Sequence, residues 1–210
     1  MKKIFMCGSS SYFRENFMWL IDFLKYKNFK NYTIKGVIND DIDDKFEKFS
    51  KLKFIPSKNV KPHKDNLIYI AAANVNVRKK IIKKFSKYNF FSLIHPSSVV
   101  SKYAKLGKGI TIGPQSVVTG DAILADFNNI NSFCLISHNN VLGINNSLSP
   151  YVKLLGNCKI GNENFFGANT TVLPNISLGN SNFIGANSLL TKKFSSNKLI
   201  YGSPAKIKKW

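Results

Sequence analysis

The chain has 210 residues, of which 31 are lysine or arginine and 11 are aspartate or glutamate, so its formal charge is +20 at pH 7. This length allows one or two domains. No apolar run approaches the 18 or more residues of a membrane helix, and residues 1–13 contain too short an apolar core for a signal peptide, so we expect a cytoplasmic protein that is not inserted in a membrane.

The strong positive charge indicates an anionic partner. Nucleic acid is disfavoured, because the lysines are scattered and neither a stacking platform nor a recognition-helix pattern accompanies them. Residues 79–84, with the sequence KKIIKK, are more typical of a solvated helix face than of a binding patch. Coenzymes and nucleotide sugars that carry phosphates would use the same positive field. The alternative is that the lysine content is a compositional habit of the source.

The first part of the chain alternates predicted strands with predicted helices. This alternation predicts a small parallel α/β sheet of the Rossmann kind, which we assign to a domain of residues 1–93. The predicted strands cover residues 2–8, 33–40, 53–57 and 66–73, and the predicted helices cover residues 13–27 and 75–88.

Polar segments follow three of these strands, and ligands bind beyond the carboxyl ends of the strands in such sheets. Residues 8–11 read Gly-Ser-Ser-Ser, residues 39–41 read Asn-Asp-Asp, and residues 73–74 read Ala-Asn. Backbone N–H groups and hydroxyls at the first turn suit phosphate oxygens, and the acidic second segment suits ribose hydroxyls or a base edge. Because the dinucleotide glycine fingerprint is missing, an ordinary turn explains the first segment equally well.

A six-residue repeat dominates the second part of the chain. Every sixth position is Leu, Ile, Val or Phe, seventeen times in succession, although only 44% of the chain is apolar. Glycine follows this anchor position seven times, and the fourth residue after it is mostly small or asparagine. Such a period predicts one short strand and one corner per hexad, with three hexads closing a triangular coil. The anchors are Ile94, Val100, Leu106, Ile112, Val118, Leu124, Ile130, Ile136, Leu142, Leu148, Leu154, Ile160, Phe166, Val172, Leu178, Ile184 and Leu190.

The repeat predicts a left-handed parallel β-helix of about five coils over residues 94–198, with the anchors filling its interior. We expect the glycines and asparagines to occupy corners with positive φ. Flat faces of such a column usually pack around a threefold axis, so a homotrimer is expected. Residues 199–210 leave the repeat and are predicted to cap the last coil. Cys134 and Cys158 occupy the small-residue position, which predicts packed core thiols.

Of the three histidines, His138 stands out by its position in the repeat. It is the third residue of the hexad that begins at Ile136, so its side chain is predicted to point outward from a corner. The residue one coil later, at β-strand spacing, is Gly156. An imidazole can accept the proton of an attacking amine or hydroxyl, and a glycine N–H can stabilise the oxyanion of a tetrahedral intermediate. The pair therefore indicates acyl transfer, with a surface histidine beside a corner glycine as the structural alternative.

At these residues the chain resembles the hexapeptide-repeat bacterial sugar acyltransferases. The α/β start, the repeat, the histidine after Ile-x, Leu-Gly-Asn one coil later and the C-terminal Gly-x-Pro-Ala-Lys carry this resemblance. It is closest to the bacillosamine-pathway N-acetyltransferases and the sialic-acid O-acetyltransferases. The resemblance implies a homotrimer without a metal that transfers acetyl directly from acetyl-CoA. The implied acceptor is a UDP- or dTDP-linked 4-amino dideoxy sugar used in surface glycan or glycoprotein biosynthesis.

The resemblance also implies roles for individual residues. His138 is the implied general base and the Gly156 amide the implied oxyanion donor. Asn139 stands where family members often have an acidic residue, and its amide is predicted to support the histidine by a hydrogen bond to the ring. The nucleotide sugar is implied to contact Gly8, Ser9, Ser10, Asn39, Asp40 and Asn131. The coenzyme is implied to lie near Gly156, Ala168, Gly185 and Ala186.

Departures from the family pattern leave alternatives open. Ser147 replaces a second histidine of close relatives, and serines replace their Gly-His-Gly at the first turn. Sugar O-acetylation is one alternative, but a hydroxyl needs a stronger base, and Asn139 adds no negative charge to the histidine. A non-catalytic protein that binds sugar nucleotides is another. Metal-dependent carbonic anhydrases share the β-helix but need three histidines, whereas the repeat beyond His95 contains only His138.

Overall fold

The computed structural model describes residues 1–8, 11–26, 31–38 and 51–209. The chain divides into two compact units, Met1–Ser92 and Leu93–Trp210. Within the described ranges, no helix combines the length and apolar character that are needed to cross a bilayer.

The first unit contains a five-stranded parallel sheet in the order β3-β2-β1-β4-β5, and its predicted class is confirmed. The central strands β1 and β4 are apolar and buried, as expected where helices cover both faces of a parallel sheet. The elements are β1 Lys2–Cys7, α1 Ser11–Tyr26, β2 Tyr32–Ile38, β3 Phe54–Ile55, β4 Asn66–Ile70, α2 Val75–Lys84 and β5 Asn89–Phe90.

Both predicted helices of this unit are present, and the start of each lies within two residues of its predicted position. The α1 helix buries an apolar face that includes Phe13, Phe17 and Leu20. The side chain of Asn74 caps α2, because its Oδ1 accepts hydrogen bonds from the N–H groups of Asn76 at 2.9 Å and Val77 at 3.1 Å. This helix is shorter than predicted.

The second unit is a parallel β-helix, as the repeat predicts. Over residues 93–172, each two-residue strand pairs in parallel with the strand 18 residues further along the chain, as Leu135 pairs with Lys153 and Ile136 with Leu154. The strands are β6 Leu93–Ile94, β7 Val99–Val100, β8 Lys105–Leu106, β9 Thr111–Ile112, β10 Val117–Val118, β11 Ile123–Leu124, β12 Asn129–Ile130, β13 Leu135–Ile136, β14 Val141–Leu142, β15 Ser147–Leu148, β16 Lys153–Leu154, β17 Lys159–Ile160, β18 Phe165–Phe166, β19 Thr171–Val172, β20 Ser177–Leu178, β21 Phe183–Ile184, β22 Leu189–Leu190, β23 Leu199–Tyr201 and β24 Lys206–Lys208.

These strands form three flat faces, which we number in chain order. Sheet 1 contains β6, β9, β12, β15, β18 and β21 and continues into β23 and β24; sheet 2 contains β7, β10, β13, β16, β19 and β22; sheet 3 contains β8, β11, β14, β17 and β20. The chain turns from sheet 1 to sheet 2 at the first corner, from sheet 2 to sheet 3 at the second corner, and from sheet 3 back to sheet 1 at the third corner.

The anchors of the repeat fill the interior of the β-helix. All of the anchors from Ile112 to Leu190 are buried, with at most 4% of their surface exposed. The first three, Ile94, Val100 and Leu106, are partly buried and pack against the same core. Spacing alone therefore identified the core, because in every hexad the same position points inward.

The predicted positive φ is confirmed for the corner asparagines, but it is wrong for the glycines that follow the anchors. Positive φ falls two residues later, at the third position after most anchors, which is most often asparagine, as at Asn157 with φ of 63°. The glycines after the anchors are instead required by the next coil. A Cβ built on Gly143 would overlap the Asn162 side chain, and a Cβ on Gly161 would overlap Asn180. Asparagine tolerates the left-handed conformation because its short polar side chain hydrogen-bonds locally.

Inside the third corner, Asn128, Asn146, Asn164 and Asn182 form a ladder along the β-helix. The Oδ1 of each of the first three accepts the backbone N–H of the next asparagine at 2.9 Å, and Asn182 accepts the N–H of Lys198 at 2.8 Å. Each buried amide thereby satisfies a backbone donor that a corner would otherwise leave without an acceptor.

The predicted core thiols are buried. The Sγ of Cys134 lies 3.2 Å from the Ser149 carbonyl oxygen, and that of Cys158 lies 3.1 Å from the Leu155 carbonyl oxygen. Burial raises the pKa of the Cys134 thiol to about 12, because the interior disfavours the thiolate. Both cysteines are therefore packing residues.

Candidate active site

His138 lies at the second corner between two glycines, as its column in the repeat predicts. Its imidazole lies against Gly156, where a Cβ would be 2.5 Å from Cε1 and 2.6 Å from Nε2. Below it, a Cβ on Gly120 would be 2.8 Å from the Cβ of His138. The histidine is nonetheless exposed. Glycine is thus required at both positions, because a side chain at residue 156 would overlap the imidazole ring and one at residue 120 would overlap the Cβ of His138.

Backbone hydrogen bonds hold the main chain of His138 and Gly156 in place, but they leave the imidazole and the Gly156 N–H available to a ligand. The carbonyl oxygen of His138 accepts the N–H of Asn157 at 3.1 Å, and the carbonyl oxygen of Gly156 accepts the N–H of Asn175 at 3.0 Å. Among the described residues, neither the Gly156 N–H nor the imidazole has a hydrogen-bond partner. A corner that holds an imidazole next to a free N–H can both accept a proton and stabilise an oxyanion.

Asn139 takes the left-handed corner conformation, with φ of 57°, and its side chain is exposed. In the described part of the chain, no hydrogen bond joins its amide to the His138 ring. The corner itself accounts for an asparagine here, since seven such corners of this β-helix carry one. The predicted support of the histidine by Asn139 stays a prediction.

The other predicted site residues of the β-helix lie at the first corner. Asn131 is 7% exposed, and its Oδ1 accepts the N–H of Ser132 at 2.6 Å. Ala168 is half-buried and Ala186 is exposed. Gly185 is buried beneath the ring of Tyr201, which a Cβ on this glycine would overlap. Of the predicted coenzyme residues at this corner, only Ala168 and Ala186 are therefore open to a ligand.

The structure consequently brings His138, Asn139 and Gly156 together but places Asn131, Ala168, Gly185 and Ala186 at another corner. The outer face of sheet 2 separates the two corners. That face carries a series of apolar side chains that are exposed or half-buried. They are Val99, Val117, Leu135 and Leu189, and they share this face with Lys153 and Thr171.

In the first unit, Gly8 ends β1 where β4 approaches closely. A Cβ on Gly8 would overlap the carbonyl oxygen of Ala71, so only glycine fits. Gly8 therefore places a residue without a side chain at the carboxyl end of β1. Ser9, Ser10, Asn39 and Asp40 lie outside the described residues.

Sequence analysis missed a buried polar group at this end of the sheet. Arg78 is fully buried, and its Nη1 donates to the carbonyl oxygen of Ala72 at 2.9 Å. Burial lowers the pKa of its guanidinium to about 10, so the charge persists at neutral pH. The hydroxyl of Tyr69, also fully buried, donates to Asn16. The sequence could have indicated this burial, because Arg78 lies three residues before the apolar Ile81 and therefore on the same, inner face of α2.

No protein-family model matches the sequence, and no curated protein matches it. Solved structures do match it along nearly the whole chain. The acetyltransferase domain of PglB from Neisseria gonorrhoeae has a TM-score of 0.86 at 19% identity, over 99% of this chain and 100% of that chain. It has also been solved in complex with acetyl coenzyme A.

Two further structures have the same fold. WeeI from Acinetobacter baumannii has a TM-score of 0.87 at 18% identity, over 99% of this chain and 100% of that chain. PerB from Caulobacter crescentus, in complex with CoA and GDP-perosamine, has a TM-score of 0.78 at 20% identity, over 100% of this chain and 98% of that chain. The chain therefore has the fold of these proteins, a parallel α/β unit followed by a β-helix of hexapeptide repeats.

Proposed function

We propose that this protein is an acetyl-CoA-dependent N-acetyltransferase that acts on a nucleotide-linked amino sugar. The observation that carries the proposal is the contact of the exposed His138 imidazole with Gly156, whose N–H has no partner in the described chain. The fold supports it, because PglB binds acetyl coenzyme A and PerB binds CoA and GDP-perosamine.

The proposed reaction is a direct transfer. The amine nitrogen of the sugar attacks the carbonyl carbon of the thioester, while the imidazole of His138 accepts the amine proton. The N–H of Gly156 stabilises the oxyanion that forms on the former carbonyl oxygen. The C–S bond then breaks, the leaving thiolate takes the proton from His138, and the products are an acetamido sugar and free CoA.

A homotrimer would complete this site. We propose that the outer face of sheet 2 faces a threefold axis. The second corner of each copy then lies next to the first corner of a neighbouring copy. The second corner of one copy, with His138 and Gly156, then lies beside the first corner of the next, with Asn131, Ala168 and Ala186. Trimer formation would also remove the apolar side chains of sheet 2 from water.

The first unit is proposed to hold the nucleotide. Gly8, where only glycine fits, lies at the carboxyl end of a parallel sheet, where such folds bind their ligands. The formal charge of +20 favours an acceptor and a donor that both carry phosphates. We propose a UDP- or dTDP-linked 4-amino dideoxy sugar as the acceptor.

The proposal is tested by measuring the release of free thiol from acetyl-CoA against UDP- and dTDP-linked amino sugars, with GDP-perosamine included. Turnover with one of these amines is expected, together with an acetamido product of matching mass. A protein that binds the sugar nucleotide but neither binds acetyl-CoA nor releases thiol would be a non-catalytic binding protein. Turnover with a hydroxyl acceptor alone would establish O-acetylation.

Replacing Gly156 with alanine is expected to lower kcat by about 10²-fold, because the new Cβ would overlap the His138 ring and push the imidazole out of its catalytic position. The melting temperature is expected to stay close to that of the wild type, since the displaced ring is exposed. The matched control is the same change in a His138→Ala background, where no ring remains to be displaced. An equal loss in both backgrounds would contradict this explanation.

A further inference from the structure

Two large aromatic side chains occupy corner positions that other corners give to small or polar residues. Phe133 and Tyr151 have φ of 59° and 64°, in the left-handed region where bulky residues are rare. The other residues with positive φ in the β-helix are asparagine, glycine, glutamine, serine or glutamate, apart from Phe127. Backbone strain of this kind is found most often at functional sites.

Burial does not compensate for this strain. Phe127 is 7% exposed, so packing offsets its conformation, whereas Phe133 is 46% and Tyr151 is 49% exposed. The two exposed rings stack on each other, with centroids 4.8 Å apart and planes within 3° of parallel. The first corner therefore presents a rigid, solvent-facing surface made of two aromatic rings.

This aromatic pair lies at the same height along the β-helix as the proposed catalytic histidine. Phe133 and Tyr151 are 18 residues apart and thus one coil apart, and His138 follows the first by five residues and precedes the second by thirteen. A threefold axis parallel to the β-helix leaves heights unchanged. In the proposed trimer, the pair of one copy therefore faces His138 of the next copy at the level of the reacting atoms.

We propose that Phe133 and Tyr151 form the wall against which the pyranose ring of the acceptor packs, in the active site of the neighbouring copy. This inference rests on the proposed function and names a specificity determinant for it. Aromatic side chains offer large, rigid apolar area at a low entropy cost, and the exposed outer surface of the stacked pair offers such area to the C–H groups of a deoxy sugar. The adenine of the coenzyme does not fit this place, because its pantetheine arm holds it far from the thioester.

The test compares the wild type with the double variant Phe133→Asn and Tyr151→Asn. Asparagine suits the same backbone conformation, so the corner should fold without strain. The matched control is Ser181→Asn, at a third-corner residue with φ of 55° that lies away from both proposed ligand corners. For each protein, we would measure KM for the active amino-sugar nucleotide and for acetyl-CoA, the melting temperature and the mass in solution.

The double variant is expected to raise KM for the amino-sugar nucleotide about tenfold, a loss typical of a removed aromatic stacking contact. KM for acetyl-CoA should change less than twofold, and the trimer and its melting temperature should be retained. Ser181→Asn should change none of these quantities. An unchanged acceptor KM would overturn the proposal. So would dissociation of the trimer, because the pair would then be a contact between copies.

Binding measurements separate this inference from the proposed reaction. If the wild type transfers no acetyl group, the proposed function fails, but calorimetric titration with UDP- and dTDP-linked 4-amino dideoxy sugars still tests the aromatic pair. The double variant is expected to bind the amino-sugar nucleotide about tenfold more weakly than the wild type, while free UDP and dTDP bind both proteins equally. Equal weakening for the free nucleotides, or no weakening at all, would overturn the sugar-binding role.

Discussion

Replacing His138 with alanine is expected to lower kcat for acetyl transfer by about 10²–10⁴-fold, the usual contribution of a general base. The loss should fall on kcat, because the variant removes the proton acceptor and leaves the neighbouring Gly156 N–H in place. The fold should survive, since the side chain is exposed and makes no hydrogen bond within the described residues. Steady-state kinetics and a melting curve measure the two effects separately.

The matched control is His63→Ala. His63 is also exposed, but it lies in the segment that leads into β4, at the opposite end of that strand from the proposed nucleotide site. Its imidazole lies 3.6 Å from the carboxylate of Asp65 and has no part in the proposed reaction. The control should retain wild-type kcat. Full activity in His138→Ala would exclude His138 as the general base and would identify it as a surface histidine beside a corner glycine.

Replacing Phe166 with alanine is expected to lower the free energy of unfolding by about 3–5 kcal/mol. This anchor of β18 is completely buried, between the anchors Leu148 and Ile184 of the coils before and after it. Backbone hydrogen bonds to both coils hold the strand in place, so the cavity cannot collapse. Urea denaturation at one fixed protein concentration measures the loss, because association adds to the stability of an oligomer.

The adjacent Phe165 provides the control for this prediction. It lies on the outer face of sheet 1, is half-buried and stacks on Phe183 with ring centroids 4.9 Å apart. Phe165→Ala is expected to cost about 1 kcal/mol, the magnitude of an aromatic pair with limited burial. Equal losses for Phe165→Ala and Phe166→Ala would show that the interior of the β-helix relaxes around a cavity.

The sequence by itself determined the β-helix, its core and the His138–Gly156 pair. A repeat of six places the same side chain inward in each hexad, so counting along the chain identifies every anchor. Counting also identifies stacked residues, because 18 positions make one coil. These properties follow from spacing along the chain, and for that reason they needed no knowledge of distant contacts.

Other features depend on atoms that are far apart in the sequence. The tail folds back so that Tyr201 covers Gly185, which sequence analysis had assigned to the coenzyme. The glycines after the anchors are required by the side chains of the next coil, although their own backbone conformation is ordinary. Counting places Phe133 and Tyr151 one coil apart, but it does not show that their rings stack face to face and remain exposed. Only the tertiary structure decided these points, because they depend on how closely neighbouring coils approach and on what remains exposed once they have packed.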